Sequence, residues 1–240
     1  MNAVNLNNLK IKIYADGADL KQILQLNKLS YIKGFTTNPT LMRSCGVKNY
    51  KKFAIDLLSN IKNKPISFEV FADDIYEMET QAYEIATWGK NINIKIPITN
   101  TKGISTKKLI SKLSNDGIVC NVTAIFTEKQ LYELMLEIKK ESSIILSVFA
   151  GRIADSGVDP EIILNKCSKI LKKFPNSKLL WASTREVFNI FQAERCGCQI
   201  ITVPNDILLK LNNIKKNLNT FSIETVKMFY NDAQKAGYKI

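Results

Sequence analysis

A chain of 240 residues, 45% hydrophobic and 23% charged, has enough apolar material for a sizeable core and is not disordered by composition. It contains no histidine, which excludes Ser-His-Asp and Cys-His catalysis and removes the commonest zinc ligand. Its net charge of +12 invites a polyanion-binding reading. Against that, only four of the 34 basic residues are arginine, and the lysines are scattered along helix-like faces, so nucleic acid is not an expected partner.

No run approaches the roughly 20 apolar residues of a membrane span. The first ten residues are polar and Asn-rich, so neither a membrane association nor a secretory leader is expected. The five cysteines are an odd number, which reads as reduced thiols and a cytoplasmic setting. Cys196 and Cys198 alone cannot close a thiolate site, so neither a metal nor a cofactor is expected.

Taken in chain order, short β-branched runs alternate with helical patterns. Strands are expected at Ile11–Ala15, Ile32–Thr36, Ile66–Phe71, Ile92–Pro97, Ile118–Ala124, Ile144–Phe149, Lys178–Ala182 and Gln199–Val203. Between them apolar residues recur at intervals of three and four, as in Leu131, Leu134, Met135 and Ile138. Thr127 with Gln130, and Ser183 with Glu186, fit capping boxes. Asn205–Lys216 reads as the last helix of the repeat, and residues about 222–237 as a further amphipathic helix with Ile223, Val226, Phe229, Tyr230 and Ala233 on one stripe. Eight strand–helix repeats without a composition break predict one domain over 1–240, a (β/α)8 TIM barrel of α/β class. No G-x-G-x-x-G follows any strand, which weakens the open-sheet alternative.

Chemistry in such a barrel is carried at the C-terminal ends of the strands. Polar residues collect at seven of them: Asp16; Thr36-Thr37-Asn38; Glu69; Lys95; Asn121 and Thr123; Ser147 with Phe149 and Arg152; and Ser183 with Arg185. Strand eight is uninformative. Most of these have bland readings. Asp16 suits a helix cap or turn, Thr-Asn-Pro a turn, and Ser183 an N-cap, while Asn121 and Thr123 suit satisfied interior groups. Lys95 resists such a reading, because a lysine between two isoleucines in a buried strand has no route by which to snorkel. Burial disfavours an ammonium, and a neutral amine attacks ketones to form an imine. The protonated imine is an electron sink for carbon–carbon cleavage without a metal. Two carboxylates, Asp16 and Glu69, are available for the proton transfers. Arg152 and Arg185, at adjacent strand ends, suit a phosphate, with a helix N-terminus opening at Ser183 expected to add backbone donors.

Together these segments resemble the transaldolase family: Tyr14-Ala15-Asp16, Thr36-Thr37-Asn38-Pro39-Thr40, Phe68-Glu69-Val70, Ile94-Lys95-Ile96-Pro97, Asn121-Val122-Thr123, Ser147 to Arg152, and Ala182 to Arg185. They fall in the family's order over strands one to seven, and the length resembles its small-subunit branch. The resemblance implies that Lys95 is a Schiff-base nucleophile, Asp16 the acid/base at the cleaved hydroxyl, and Glu69 with Thr123 the holders of the catalytic water. It implies that Thr36, Asn38, Asn121, Ser147 and Phe149 line the site of the dihydroxyacetone portion, and that Arg152, Ser183 and Arg185 bind phosphate. The implied reaction transfers a dihydroxyacetone unit from a ketose phosphate to an aldose phosphate. The alternatives are fructose 6-phosphate aldolase-like cleavage releasing free dihydroxyacetone, or a non-catalytic barrel that binds sugar phosphates or polyanions. In the aldolases the positions resembling Glu69 and Phe149 are typically Gln and Tyr, so the resemblance leans to the transferase. Gly17 and Trp181 depart from the family pattern, and the bulk of Trp181 stands next to the phosphate end in sequence. The resemblance also implies a homo-oligomer, a pentamer or decamer.

Overall fold

The computed structural model describes residues 9–239. Among them, eight parallel strands close into a barrel in sequence order. They are β1 (Lys12–Asp16), β2 (Ile32–Thr36), β3 (Ile66–Glu69), β4 (Ile92–Pro97), β5 (Cys120–Ile125), β6 (Ile145–Val148), β7 (Lys178–Trp181) and β8 (Ile200–Pro204). The helices are α1 (Leu20–Asn27), α2 (Pro39–Ser44), α3 (Tyr50–Asn60), α4 (Ile75–Ala86), α5 (Lys107–Asn115) and α6 (Glu128–Met135). After β6 come α7 (Ala150–Asp155), α8 (Pro160–Leu171), α9 (Phe188–Arg195), α10 (Asn205–Leu208) and α11 (Leu218–Ala236).

The strand centres agree with the sequence pattern, and the ends differ by a residue or two. β3 stops at Glu69 rather than Phe71, because the Phe71 and Ala72 amides turn to the Gln81 side chain at 2.7 and 3.0 Å. The expected helix over Asn205–Lys216 is instead the short α10 followed by a 3-10 turn, Leu209–Asn213. α11 starts earlier than the apolar stripe indicates, because Asn217 caps it by accepting from the Thr220 amide. Side-chain caps also start α1 at Asp19, α2 at Asn38 and α4 at Asp74, and Thr127 with Gln130 forms the expected capping box.

Alternation along each strand divides the molecule into two apolar regions. Outward residues such as Phe35, Phe68, Ile94, Val122 and Val203 meet the helices in the main core. Each fully buried aliphatic or aromatic side chain there contributes roughly 1.5–3 kcal/mol. The barrel interior holds a small second cluster of Tyr14, Ile145, Leu180, Ala182 and Ile200. A Cβ at Gly34 would lie 2.6 Å from the Tyr14 ring, so glycine on β2 is what lets the tyrosine fill the barrel floor. Burial there pushes the Tyr14 phenol up to about 12. Above this floor the interior becomes polar.

No described helix is long and apolar enough to cross a membrane. α11 buries none of its residues, and its Ile223, Val226, Phe229 and Tyr230 are exposed.

Candidate active site

The barrel mouth opens into a pocket of about 450 Å3. The candidate catalytic and binding residues reach it: Asp16, Thr36 and Asn38 on one side, Glu69, Lys95, Asn121 and Thr123 along the next three strands, and Ser147, Phe149, Arg152, Ser183 and Arg185 opposite.

β4 delivers Lys95 in register with Glu69 on β3 and Asn121 on β5. Lys95 is 7% exposed. Its Nζ donates to Glu69 Oε2 at 3.0 Å and to the Thr37 carbonyl at 2.8 Å. This ion pair takes the place of the empty apolar surroundings that the flanking isoleucines indicate. Glu69 is steadied from behind by Tyr50, whose hydroxyl donates to the Glu69 carbonyl at 3.0 Å.

Asp16 ends β1, and its Oδ1 accepts from the Thr36 hydroxyl at 2.7 Å. Burial holds the Asp16 carboxyl above the usual carboxylate range. The Lys95 charge and the Thr36 hydrogen bond pull it down, and Glu69 pushes it up, but burial dominates. Two carboxylates and one amine thus share the mouth in different environments, an arrangement suited to acid/base work.

Asn121 is fully oriented. Its Oδ1 accepts from Ser147 at 2.6 Å and its Nδ2 donates to Ser67 at 3.0 Å. The one Ser147 proton is therefore committed, and towards a ligand this hydroxyl acts as an acceptor. Asn38 uses its Oδ1 to cap α2, which leaves its amide nitrogen for the pocket. Thr123 lies in a β5 irregularity where the pairing with β6 shifts and Ala124 adopts φ 59°. A bulge of this kind re-aims a side chain at a barrel rim.

At the opposite wall two expectations are corrected. Ser183 is not a helix cap: it sits at φ 64°, and α9 begins only at Phe188. The Arg185 and Glu186 amides that a cap at Ser183 would bind donate instead to Asn189 Oδ1, at 2.8 and 3.1 Å. Trp181 is buried in the outer core and does not line the pocket, because the residue before Ala182 alternates to the helix side. Arg185 already pairs with Asp155, through Nη2 at 2.6 Å and Nε at 3.2 Å, which depresses the Asp155 carboxyl. Arg152 stacks over the Phe149 ring at 5.7 Å.

Sequence reasoning missed Ser67 and Thr202. Both are buried hydroxyls of ordinary strand composition, and only the strand register could have placed them at interior positions. Thr202 means that strand eight does contribute to the mouth. Among the described residues, no group of three histidine, cysteine, aspartate or glutamate side chains could hold a metal ion.

A closed (β/α)8 barrel with a buried lysine and two carboxylates at its mouth, matched to the relatives that follow, defines an aldolase-type enzyme. The sequence model described as Transaldolase/Fructose-6-phosphate aldolase matches residues 13–240, and the chain belongs to that family. A probable transaldolase of Thermoanaerobacter sp. is 34% identical over 231 residues, covering 96% of this chain and 100% of the relative. A probable transaldolase of Dehalococcoides mccartyi is 33% identical over 202 residues, covering 84% of this chain and 90% of its own. One of Streptococcus agalactiae is 34% identical over 202 residues, covering 84% and 89%.

Proposed function

We propose that this enzyme is a transaldolase that works through a Schiff base on Lys95. The observation that carries the reading is the buried Lys95 amine held against Glu69 at 3.0 Å in a pocket it shares with Asp16.

Attack on a ketose carbonyl requires the Lys95 proton to leave, and Glu69 Oε2 is in contact to take it. The same carboxyl, with the Thr123 hydroxyl, then handles the water lost on imine formation. The iminium draws in the electrons of the bond between its α and β carbons, and Asp16 accepts the proton of the β hydroxyl, whose carbon departs as an aldehyde. Cleavage leaves an enamine on Lys95. Its carbon attacks an acceptor aldehyde, Asp16 returns the proton to the new alkoxide, and hydrolysis frees the lysine. Asn38, Asn121 and Ser147 are assigned to the three-carbon unit. Arg152, Arg185 and Ser183 are assigned to the phosphate, which would share Arg185 with Asp155.

Phe149 offers no hydroxyl to activate water against the enamine, which favours passage to an acceptor over release. Incubation with fructose 6-phosphate, with and without an aldose phosphate, separates the two. Transfer requires the acceptor, whereas steady accumulation of free dihydroxyacetone without it would make the enzyme an aldolase.

We also infer a homo-oligomer, in which a neighbouring subunit covers the exposed apolar face of α11, with analytical ultracentrifugation as the test. The free state of the five cysteines supports a cytoplasmic setting.

A further inference from the structure

Thr202 carries a role in the site that its ordinary strand setting does not announce. We propose that Thr202 is a positioning residue for the acid/base Asp16, acting through the hydroxyl of Thr36. The proposal rests on the transaldolase reading above, because it gives Asp16 the proton of the cleaving hydroxyl.

A count of protons sets the direction of the hydrogen bonds that reach Asp16. A hydroxyl has one proton to donate, and an ionised carboxylate has none. Thr36 Oγ1 lies 2.7 Å from Asp16 Oδ1, and against a carboxylate it must be the donor. Thr36 Oγ1 also touches Thr202 Oγ1. With the Thr36 proton committed to Asp16, the Thr202 hydroxyl is the donor in that second contact. The chain therefore runs in one direction, from Thr202 to Thr36 to Asp16 Oδ1. The second carboxylate oxygen of Asp16 accepts no hydrogen bond from a described residue and is left as the basic one.

Strand register makes this possible. β1 lies between β8 and β2, with Tyr14 paired to both Thr202 and Gly34, and Asp16 paired to Thr36. The two threonines thus meet across β1, above the Tyr14 side chain that Gly34 admits. Thr36 is 3% and Thr202 6% exposed, so water does not readily replace either partner. Thr202 is itself held through its carbonyl, which accepts from the Thr184 hydroxyl at 2.7 Å, next to Ser183 at the phosphate wall.

The consequence is electrostatic as well as geometric. Hydrogen bonds to a carboxylate favour its ionised form. The charged and titratable groups around Asp16 are Lys95 on β4 and Glu69 on β3, with Arg152 and Arg185 on the far wall and Tyr14 below on β1. Those remain when Thr202 is changed. Without the Thr202 donor, the Thr36 hydroxyl is free to turn away, and Asp16 stays ionised only at higher pH.

The test compares wild type, Thr202→Val and Thr202→Ser for kcat, KM and the pH dependence of kcat/KM with fructose 6-phosphate and an aldose phosphate. Thr202→Val is expected to lose about fivefold in kcat at neutral pH, the equivalent of one hydrogen bond. Its acidic limb moves to higher pH and KM stays unchanged, while Thr202→Ser restores both kcat and the limb. Should Thr202→Val not fold, Thr202→Ala carries the same comparison. A valine or alanine variant whose acidic limb coincides with wild type overturns the proposal, whether or not kcat falls. A wild-type protein that turns over no ketose phosphate removes the transaldolase reading itself, and the role of Thr202 with it.

Discussion

Glu69 and Lys95 are register partners on adjacent parallel strands, with their charged ends 3.0 Å apart, so the barrel's own ladder sets the distance between amine and carboxylate. Neither residue depends on a loop for its position. The Lys95 side chain is 9% and the Glu69 side chain 15% exposed, which leaves each as the other's main compensation for lost hydration.

The first prediction concerns that pair. Lys95→Ala should abolish turnover and also destabilise the fold by about 3 kcal/mol, since it strands a partly buried carboxylate. The double variant Lys95→Met/Glu69→Gln, equally inactive, should be more stable than Lys95→Ala. Urea denaturation of the three proteins measures both differences. A double variant less stable than the single would contradict the account of the pair.

Asp16 gives a prediction with a sign. Burial raises its folded-state value above that of the unfolded chain, so ionising it opposes folding. Its favourable contribution is complete below the ordinary aspartate value of 3.8 and is lost as pH rises through the folded value. Asp16→Asn should therefore be more stable than wild type at neutral pH, with the gap closing on acidification. It should also lose about 100- to 10,000-fold in kcat as the acid/base is removed. Thermal melts across pH check the first part and steady-state kinetics the second.

Much of this was legible in the sequence, for identifiable reasons. Lys95, Glu69 and Asp16 stood out because charge inside or at the end of a β-branched run is costly, and cost narrows the explanations. Thr202 and Ser67 did not, because threonine and serine in strands are unremarked by composition, and their importance lies in which strand faces which. The Ser183–Glu186 spacing has the form of a capping box, yet the chain turns into the left-handed region at Ser183 and Asn189 takes the backbone amides. No local pattern separates those two outcomes. The length of β3 was likewise decided by a distant glutamine.

Ser183 and Gly151 form a tightly constrained contact at the wall that carries Arg152 and Arg185. A Cβ on Gly151 would stand 1.6 Å from the Ser183 carbonyl oxygen, a backbone atom that cannot swing aside. Gly151→Ala should cost about 2 kcal/mol or more in stability and raise KM for the sugar phosphate, as Arg152 and Arg185 are displaced. Ser183→Gly should instead gain about 1 kcal/mol by relieving a left-handed serine, while weakening phosphate binding. Melting curves and KM values for the two variants test this opposition.

The barrel floor offers an independent check on packing. Gly34→Ala pushes a methyl group into the Tyr14 ring and should destabilise by about 1–3 kcal/mol. Combining it with Tyr14→Leu should cost less than the sum of the two single changes, which a double-mutant cycle by denaturation measures.

The central claim is the covalent role of Lys95, and borohydride reduction in the presence of fructose 6-phosphate tests it most directly. Intact mass and peptide mapping should show one reduced three-carbon or hexose phosphate adduct, on the peptide that contains Lys95. An adduct confined to another lysine, or none in a folded wild-type protein that turns the sugar over, would contradict the Schiff-base mechanism.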